Sequence, residues 1–125
     1  MAARGSIASI QQQTERTIMA LYLFQGAYTA EAMAKLIKKP QDRFGVIAKA
    51  LKKFGGKLHG GWFSFGEYDV VLVMELPDNV TAAAFAVAAE AGGALRAGRT
   101  TPLLSAREMG QMLRKAKSSS YRPPQ

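Results

Sequence analysis

The sequence predicts an α+β fold: one four-stranded antiparallel sheet, helices on one of its faces, and a further helix near the C-terminal end. Three observations carry this. Two stretches, Thr17 to Gln25 and Tyr68 to Leu76, are apolar at both alternating sets of positions, the pattern of strands covered on both faces. Two other strand-like stretches contain residues that central strands avoid, Gly60-Gly61 in one and Pro102 in the other, which marks them as edges. Helical patterns separate the first strand from the second and the third from the fourth. The resulting order, βαββαβ plus a last helix, is that of the split βαβ or ferredoxin-like fold, in which the sheet runs 4-1-3-2.

The elements follow in chain order. Residues 1–16 are Ser/Gln-rich and weakly patterned, and read as a flexible extension or a short helix ahead of a domain over 17–117. In the first strand Ile18, Ala20, Tyr22 and Phe24 point one way, and Met19, Leu21 and Leu23 the other. Gly26 to Tyr28 is expected to break it, and Thr29 to cap a helix with Glu31 in its first turn. Helical pattern then runs to Phe54, kinked or divided at Pro40. Val46, Ile47, Ala50, Leu51 and Phe54 share its apolar face, and Gly55-Gly56 stops it. The second strand is expected over Lys57 to Phe65. Gly66-Glu67 suggests a tight two-residue hairpin into the third. Asp78 or Asn79 can cap the Ala-rich helix that ends at Gly92-Gly93. The fourth strand covers about Ala94 to Leu104. Ser105 and Glu108 form a capping-box pattern for the last helix, and residues 118–125 make a polar tail.

Composition narrows the function classes. Apolar residues make up 48% of the 125, enough for one cored domain and too many for a disordered chain. There is no Cys and a single His, His59, which removes disulfides, thiolate metal sites and His-cluster metal sites within one chain. No apolar run approaches the length of a membrane span, no secretory leader pattern is present, and a cytoplasmic location is expected. No P-loop, dinucleotide fingerprint or nucleophile elbow occurs, so no cofactor and no metal are expected.

The same strand pattern predicts self-association. Two helices cover one face of a four-stranded sheet, yet the central strands are apolar on both. Strands of about six residues, at ~3.3 Å rise and ~4.8 Å spacing, leave an open face of roughly 400 Å². Covering it at ~25 cal/mol per Å² is worth on the order of 10 kcal/mol per partner before the costs of association. A two-fold dimer with sheets face to face satisfies this. The competing arrangement is a monomer whose C-terminal helix folds across the open face.

The segment G-E-Y-D-V-V-L-V-M-E-L-P-D at Gly66 to Asp78 resembles the signature of the GYD domain family. The likeness extends to A-L-Y-L-F-Q-G-A-Y-T, G-G-K-L-H-G-G-W-F-S-F-G and T-T-P-L-L-S-A-R-E, and covers about residues 19–117. It implies a ferredoxin-like sheet paired as a dimeric α/β barrel, and no particular activity. G-x-Y-D-x-x-L followed by P-D is also similar to the effector-sensing domain of leucine-responsive transcription regulators, which shares this fold. On that likeness a self-associating small-ligand-binding or assembly module is expected.

Several residues can carry chemistry, each with a plain structural reading beside it. Tyr68 and Asp69 follow the Gly66 turn. Asp69 can accept backbone N–H bonds across the hairpin, or contact a ligand at a subunit junction. In the second strand His59 shares a parity with Gly61, Phe63 and Phe65, and Trp62 lies on the other. Glycine beside aromatics can leave room for a small molecule. His59 can act as a base or a single haem ligand, or be an ordinary surface histidine. Glu75 interrupts an apolar strand, as a buried carboxylate or as a strand-end residue facing Arg96, Arg99 or a Lys. Tyr22 can turn its phenol into a cavity or sit in the core. These residues frame one alternative, a cofactor-free or haem-binding enzyme using an inter-sheet cavity. A second alternative uses charge. Residues 35–57 hold eight bases against one acid, a net +7 of the chain's +8, which places Lys49, Lys52, Lys53 and Lys57 on a solvent face able to meet anions. The anion can be nucleic acid, the less expected partner, an anionic protein or membrane headgroups; an RNA-recognition sheet is not expected, because the aromatics lie on the second strand and the third is aliphatic.

Overall fold

The computed structural model describes residues 19–125. The expected extension at 1–16, and the orientation of Ile18, lie outside the described residues. The elements are β1 (Ala20–Tyr28), α1 (Ala30–Lys38), α2 (Arg43–Lys53), β2 (Lys57–Phe63), β3 (Val70–Leu76), α3 (Asn79–Ala91), β4 (Leu95–Leu103) and α4 (Ala106–Ser118). The four strands form one antiparallel sheet in the order β2-β3-β1-β4. The two-sided apolar strands are therefore central, and the strands holding Gly60-Gly61 and Pro102 are the edges.

Each helix begins at a side-chain cap, which answers one of its free N–H groups. Thr29 Oγ1 accepts from Ala32 N at 3.1 Å, Asp42 Oδ1 from Gly45 N at 3.1 Å, and Asp78 Oδ1 from Thr81 N at 2.8 Å. Hydrogen bonds from the Thr81 hydroxyl and backbone hold the Asp78 carboxyl below its ordinary value. Ser105 and Glu108 close a reciprocal capping box at 3.1 and 2.9 Å. Pro40 falls between α1 and α2, where it divides the long helical pattern in two. Gly55, at φ +78°, takes the left-handed conformation that ends α2, and Gly56 N reaches back to Leu51 O at 2.8 Å.

The core lies between the sheet and its helices. Tyr22 and Phe24 of β1 and Leu72 and Met74 of β3 pack beneath Leu51 of α2 and Phe85 of α3. Phe85 stands edge-on to both Phe24 and Phe54, each at a centroid distance of 6.0 Å. The Tyr22 phenol, 1% exposed, donates to Asn79 Oδ1 at 2.6 Å. Burial, and secondarily the Asp78 charge, push this phenol above its ordinary value. An unfolded chain gives up this proton first, so the contribution of Tyr22 is complete below pH 10 and falls as the pH rises beyond it. In urea melts at increasing pH, Tyr22→Phe should lose stability less steeply above pH 10 than the parent; equal slopes would refute this.

Three local features differ from the sequence reading. First, β1 does not break at Gly26 but continues to Tyr28. Gly26 lies opposite Val70 and Gly98, where a Cβ would come within 3.2 Å of Phe24 and Val70 side chains, so a glycine lets the strand pass. Second, β2 and β3 are not joined by a two-residue turn. They end at Phe63 and begin at Val70, because residues 64–69 are held by other bonds. Ser64 N donates to Asp69 O and Ser64 Oγ to Tyr68 O, each at 2.8 Å, while Asp69 N donates to Gly26 O of β1 at 2.8 Å. Third, the parity of β2 changes along its length. Leu58 faces Met74 but Gly60 faces Val73, so His59 is an extra residue in a bulge. Beyond it Gly60 and Trp62 share a face with Lys57, and Gly61 and Phe63 share the helix side with Leu58. A Cβ at Gly61 would fall 2.7 Å from the Phe44 ring, and one at Gly60 would fall 2.8 Å from the Trp62 indole. The paired glycines let one aromatic lie close on each face.

The face away from the helices carries Leu21, Leu23, Val71 and Val73 on the central strands. The helix that could cross it, α4, contains no buried residue, and its Met109, Met112 and Leu113 are exposed. No described helix is long and apolar enough to cross a membrane.

Candidate functional site

The open sheet face and the helix side hold different members of the predicted residue set. On the open face Lys57 lies opposite Glu75 in register, and the bulge turns His59 toward the same carboxylate. His59 Nε2 meets Glu75 Oε1 at 2.6 Å, with the two side chains 40% and 28% exposed. Glu75 is therefore bonded to His59, and not to Arg96, Arg99 or a Lys. Trp62 is 57% exposed with its indole over Gly60. Tyr22 lies on the opposite face of the sheet with its phenol bonded to Asn79. Among the described residues, then, the sheet itself stands between Tyr22 and the His59–Glu75 pair.

The turn residues lead to the helix side. Asp69 Oδ2 accepts the Tyr28 N–H at 2.9 Å. This is a backbone bond to a carboxylate, as the structural reading held, but it comes from β1 and not from across the β2–β3 connection. The bond fixes Asp69 on the lining of a cleft of about 380 Å³ between the α1–α2 junction and the end of the sheet. Met33, Leu36, Pro40 and Phe63 form apolar walls. The Phe63 ring is held against Phe44 at a centroid distance of 4.7 Å. Polar groups enter from Gln41, Arg43, Ser64 and Asp69. Tyr68 is half-buried beside this turn, and its carbonyl is engaged by Ser64.

The Lys-rich stretch divides. Lys49, Lys52, Lys53 and Lys57 are exposed, and none forms an ion pair among the described residues. Arg43 is the exception to the solvent-face reading of this stretch. It is half-buried, lines the cleft, and donates from Nη1 to Gln41 Oε1 at 3.1 Å. Sequence reasoning counted Arg43 with the surface bases and gave Gln41 no role. The signal available was Pro40, which sets the α1–α2 junction and so decides that the first residue of α2 faces inward over the sheet end. Among the described residues no group of three or more His, Asp or Glu side chains is arranged to hold a metal ion.

No curated protein matches the chain. Among solved structures, the crystal structure of MtbAldR is similar at 16% sequence identity with a TM-score of 0.52, over 70% of this chain and 55% of that one. The chain therefore spans little more than half the length of that protein, and at this identity the likeness concerns the fold. The family model described as GYD domain matches residues 22–113, from the third residue of β1 through most of α4. With the G-E-Y-D turn at its centre and the sheet order that the family resemblance implied, the chain belongs to the GYD domain family.

Proposed function

We propose that this GYD-domain chain is a self-associating module in which two copies pair the open faces of their sheets and each retains a small-ligand cleft on its helix side. One observation carries the assembly: Leu21, Leu23, Val71 and Val73 form an apolar surface on the two central strands, and no helix of the described chain lies over it. Face-to-face packing of sheets about 10 Å apart buries such a surface without new backbone bonds. The apolar stripe of α4, with Met109, Met112 and Leu113 exposed, is a second apolar surface that a partner can cover. Light scattering coupled to gel filtration, run from tens of micromolar downward, tests this. A dimer or a multiple of it is expected, and a monomer throughout that range would refute it.

A second reading rests on the exposed and unpaired Lys49, Lys52, Lys53 and Lys57, which present positive charge to an anionic surface. It predicts retention on heparin at low salt and steep release as salt rises. Absence of retention would dismiss it.

A further inference from the structure

We infer that α4 is an exchanged arm: each copy lays the stripe of Met109, Met112 and Leu113 along the β2 edge of the second copy, where Trp62 is exposed. The inference rests on the face-to-face pairing proposed above, and it adds which edges meet and what α4 covers.

The α4 helix is capped at both ends, by the Ser105–Glu108 box at its start and by Ser119 N donating to Ala116 O at its close. Yet none of its residues is buried, and among the described residues no hydrogen bond joins it to another element. A helix of 13 residues is marginal in water without tertiary support. Ala106, Met109, Met112, Leu113 and Ala116 recur at helical spacing and make one apolar stripe, with Arg107, Arg114 and Lys115 off it. Leu104 alone separates β4 from the Ser105 cap, so α4 sets out from the rim of the open face.

Area assigns the stripe to a second copy. The open sheet face, at roughly 400 Å², is about half of the ~800 Å² that each partner of a stable complex buries. The α4 stripe, about 20 Å long and about 10 Å wide, offers roughly 200 Å² more. Two-fold symmetry counts it twice for each copy, once for the arm given and once for the arm received. The pair then reaches about 800 Å² per copy.

Register decides which edge receives the arm. On the open face Trp62, Val71, Gln25 and Arg99 form one row across the sheet, and Lys57, Glu75, Leu21 and Leu103 form another. A two-fold axis across the strands stacks β4 on β4. It sends α4 to an edge with exposed Arg96 and Arg99, the same charge as its own Arg107, Arg114, Lys115 and Lys117. An axis parallel to the strands stacks β4 on β2 and sends α4 to the edge that carries Trp62. It also sets Arg99 over Trp62 of the partner subunit, a cation–π arrangement, and brings Glu108 of the first α4 turn toward Lys57 of the partner subunit. The two rows are about 13 Å apart along the strands. Met109, Met112 and Leu113 lie about 6 to 12 Å along α4 from its cap, so a helix running back along this edge brings the stripe to the indole. Within one chain β3 and β1 separate β4 and its helix from Trp62.

The chain has one Trp and no Cys, so both reporters are single. Full-length Met112→Cys and Trp62→Cys chains, carrying different mass tags, are mixed and treated with a short bis-maleimide. We expect the mixed conjugate to dominate, while Val87→Cys, on the exposed side of α3, gives none with Trp62→Cys. Met112→Lys keeps the Trp62 reporter. At concentrations where the parent is paired, its emission should move to longer wavelength, and the dissociation constant should rise about tenfold or more. The inference is overturned if no mixed conjugate forms, or if Met112→Lys keeps the parent's emission and affinity. A single-chain product from the double variant Met112→Cys/Trp62→Cys would place α4 on its own sheet and overturn it too. If the mixed conjugate is missing and the parent instead sediments with phosphatidylglycerol vesicles, the stripe belongs to a lipid surface and the inference also falls. Light scattering on the same samples separates the two levels. A dimer without the mixed conjugate overturns the exchange alone, and a monomeric parent removes the pairing with it.

Discussion

Leu23→Glu is expected to split the proposed face-to-face dimer into folded monomers. Leu23 is central on the exposed sheet face, opposite Val73 on one side and Thr101 on the other. In a single chain its side chain borders solvent, so an ionised carboxylate there keeps most of its hydration and leaves the fold intact. Between two packed sheets the same charge loses its water and gains no basic partner from its own neighbours Val73 and Thr101. Burial of an unpaired charge costs several kcal/mol, and two-fold symmetry places the substitution in the interface twice. Since ~1.4 kcal/mol is tenfold in affinity, the dissociation constant should rise by about a thousandfold or more. Light scattering should give half the parent mass while circular dichroism is unchanged. Ala84→Glu, on the exposed side of α3, should leave the mass alone. A parent-like mass for Leu23→Glu would remove the sheet face from the assembly.

The largest loss of fold stability is expected at Leu51→Ala. Leu51 is fully buried, and it carries the contact of α2 with the core that includes Tyr22, Leu72 and Met74. Truncating it removes three carbons from a close-packed site and leaves a space that the sheet beneath cannot fill, because strand pairing fixes the backbone there. The cost should be about 2–5 kcal/mol, a large share of the stability of a domain of this size. Ile37→Ala on α1 is the matched control. Ile37 is 76% exposed, and its loss should change stability by less than ~0.5 kcal/mol. Chemical denaturation at one fixed protein concentration measures both, since any linked dissociation would shift the midpoints. Similar midpoints for the two variants would contradict the core assignment.

The fold was legible because its information is local and repeated. Apolar residues on both parities of β1 and β3 made them central, while Gly60-Gly61 and Pro102 assigned the edges. Thr29, Asp78 and Ser105 announced helix starts through the oxygen each offers to a free N–H. The site was less legible, because it depends on where continuous patterns are interrupted in space. The single extra residue at His59 reverses the facing of every later position in β2, and nothing in K-L-H-G-G-W-F fixes which residue bulges. Asp69 was read as a turn carboxylate closing the β2–β3 connection, but its partner is forty-one positions away in β1. Its proximity to Tyr28 follows from β1 running three residues further than its Gly26 suggests. Arg43 looked like one more lysine-rich surface base. Its place on the cleft depends on how the α1–α2 junction packs on the sheet end, a tertiary relation that the pattern of charges does not encode.

The two margins of the sheet have a consequence for crowded conditions. On one side the extra residue at His59 kinks the outermost strand and Lys57 places a charge beside it. On the other, Pro102 offers no N–H and Arg96 and Arg99 add repulsion between copies. Neither rim presents the flat, unbroken ladder that an incoming strand needs to extend a ribbon. Lateral growth toward fibrils is thereby blocked at both ends, and stacking is left as the route by which copies of this β-layer can join.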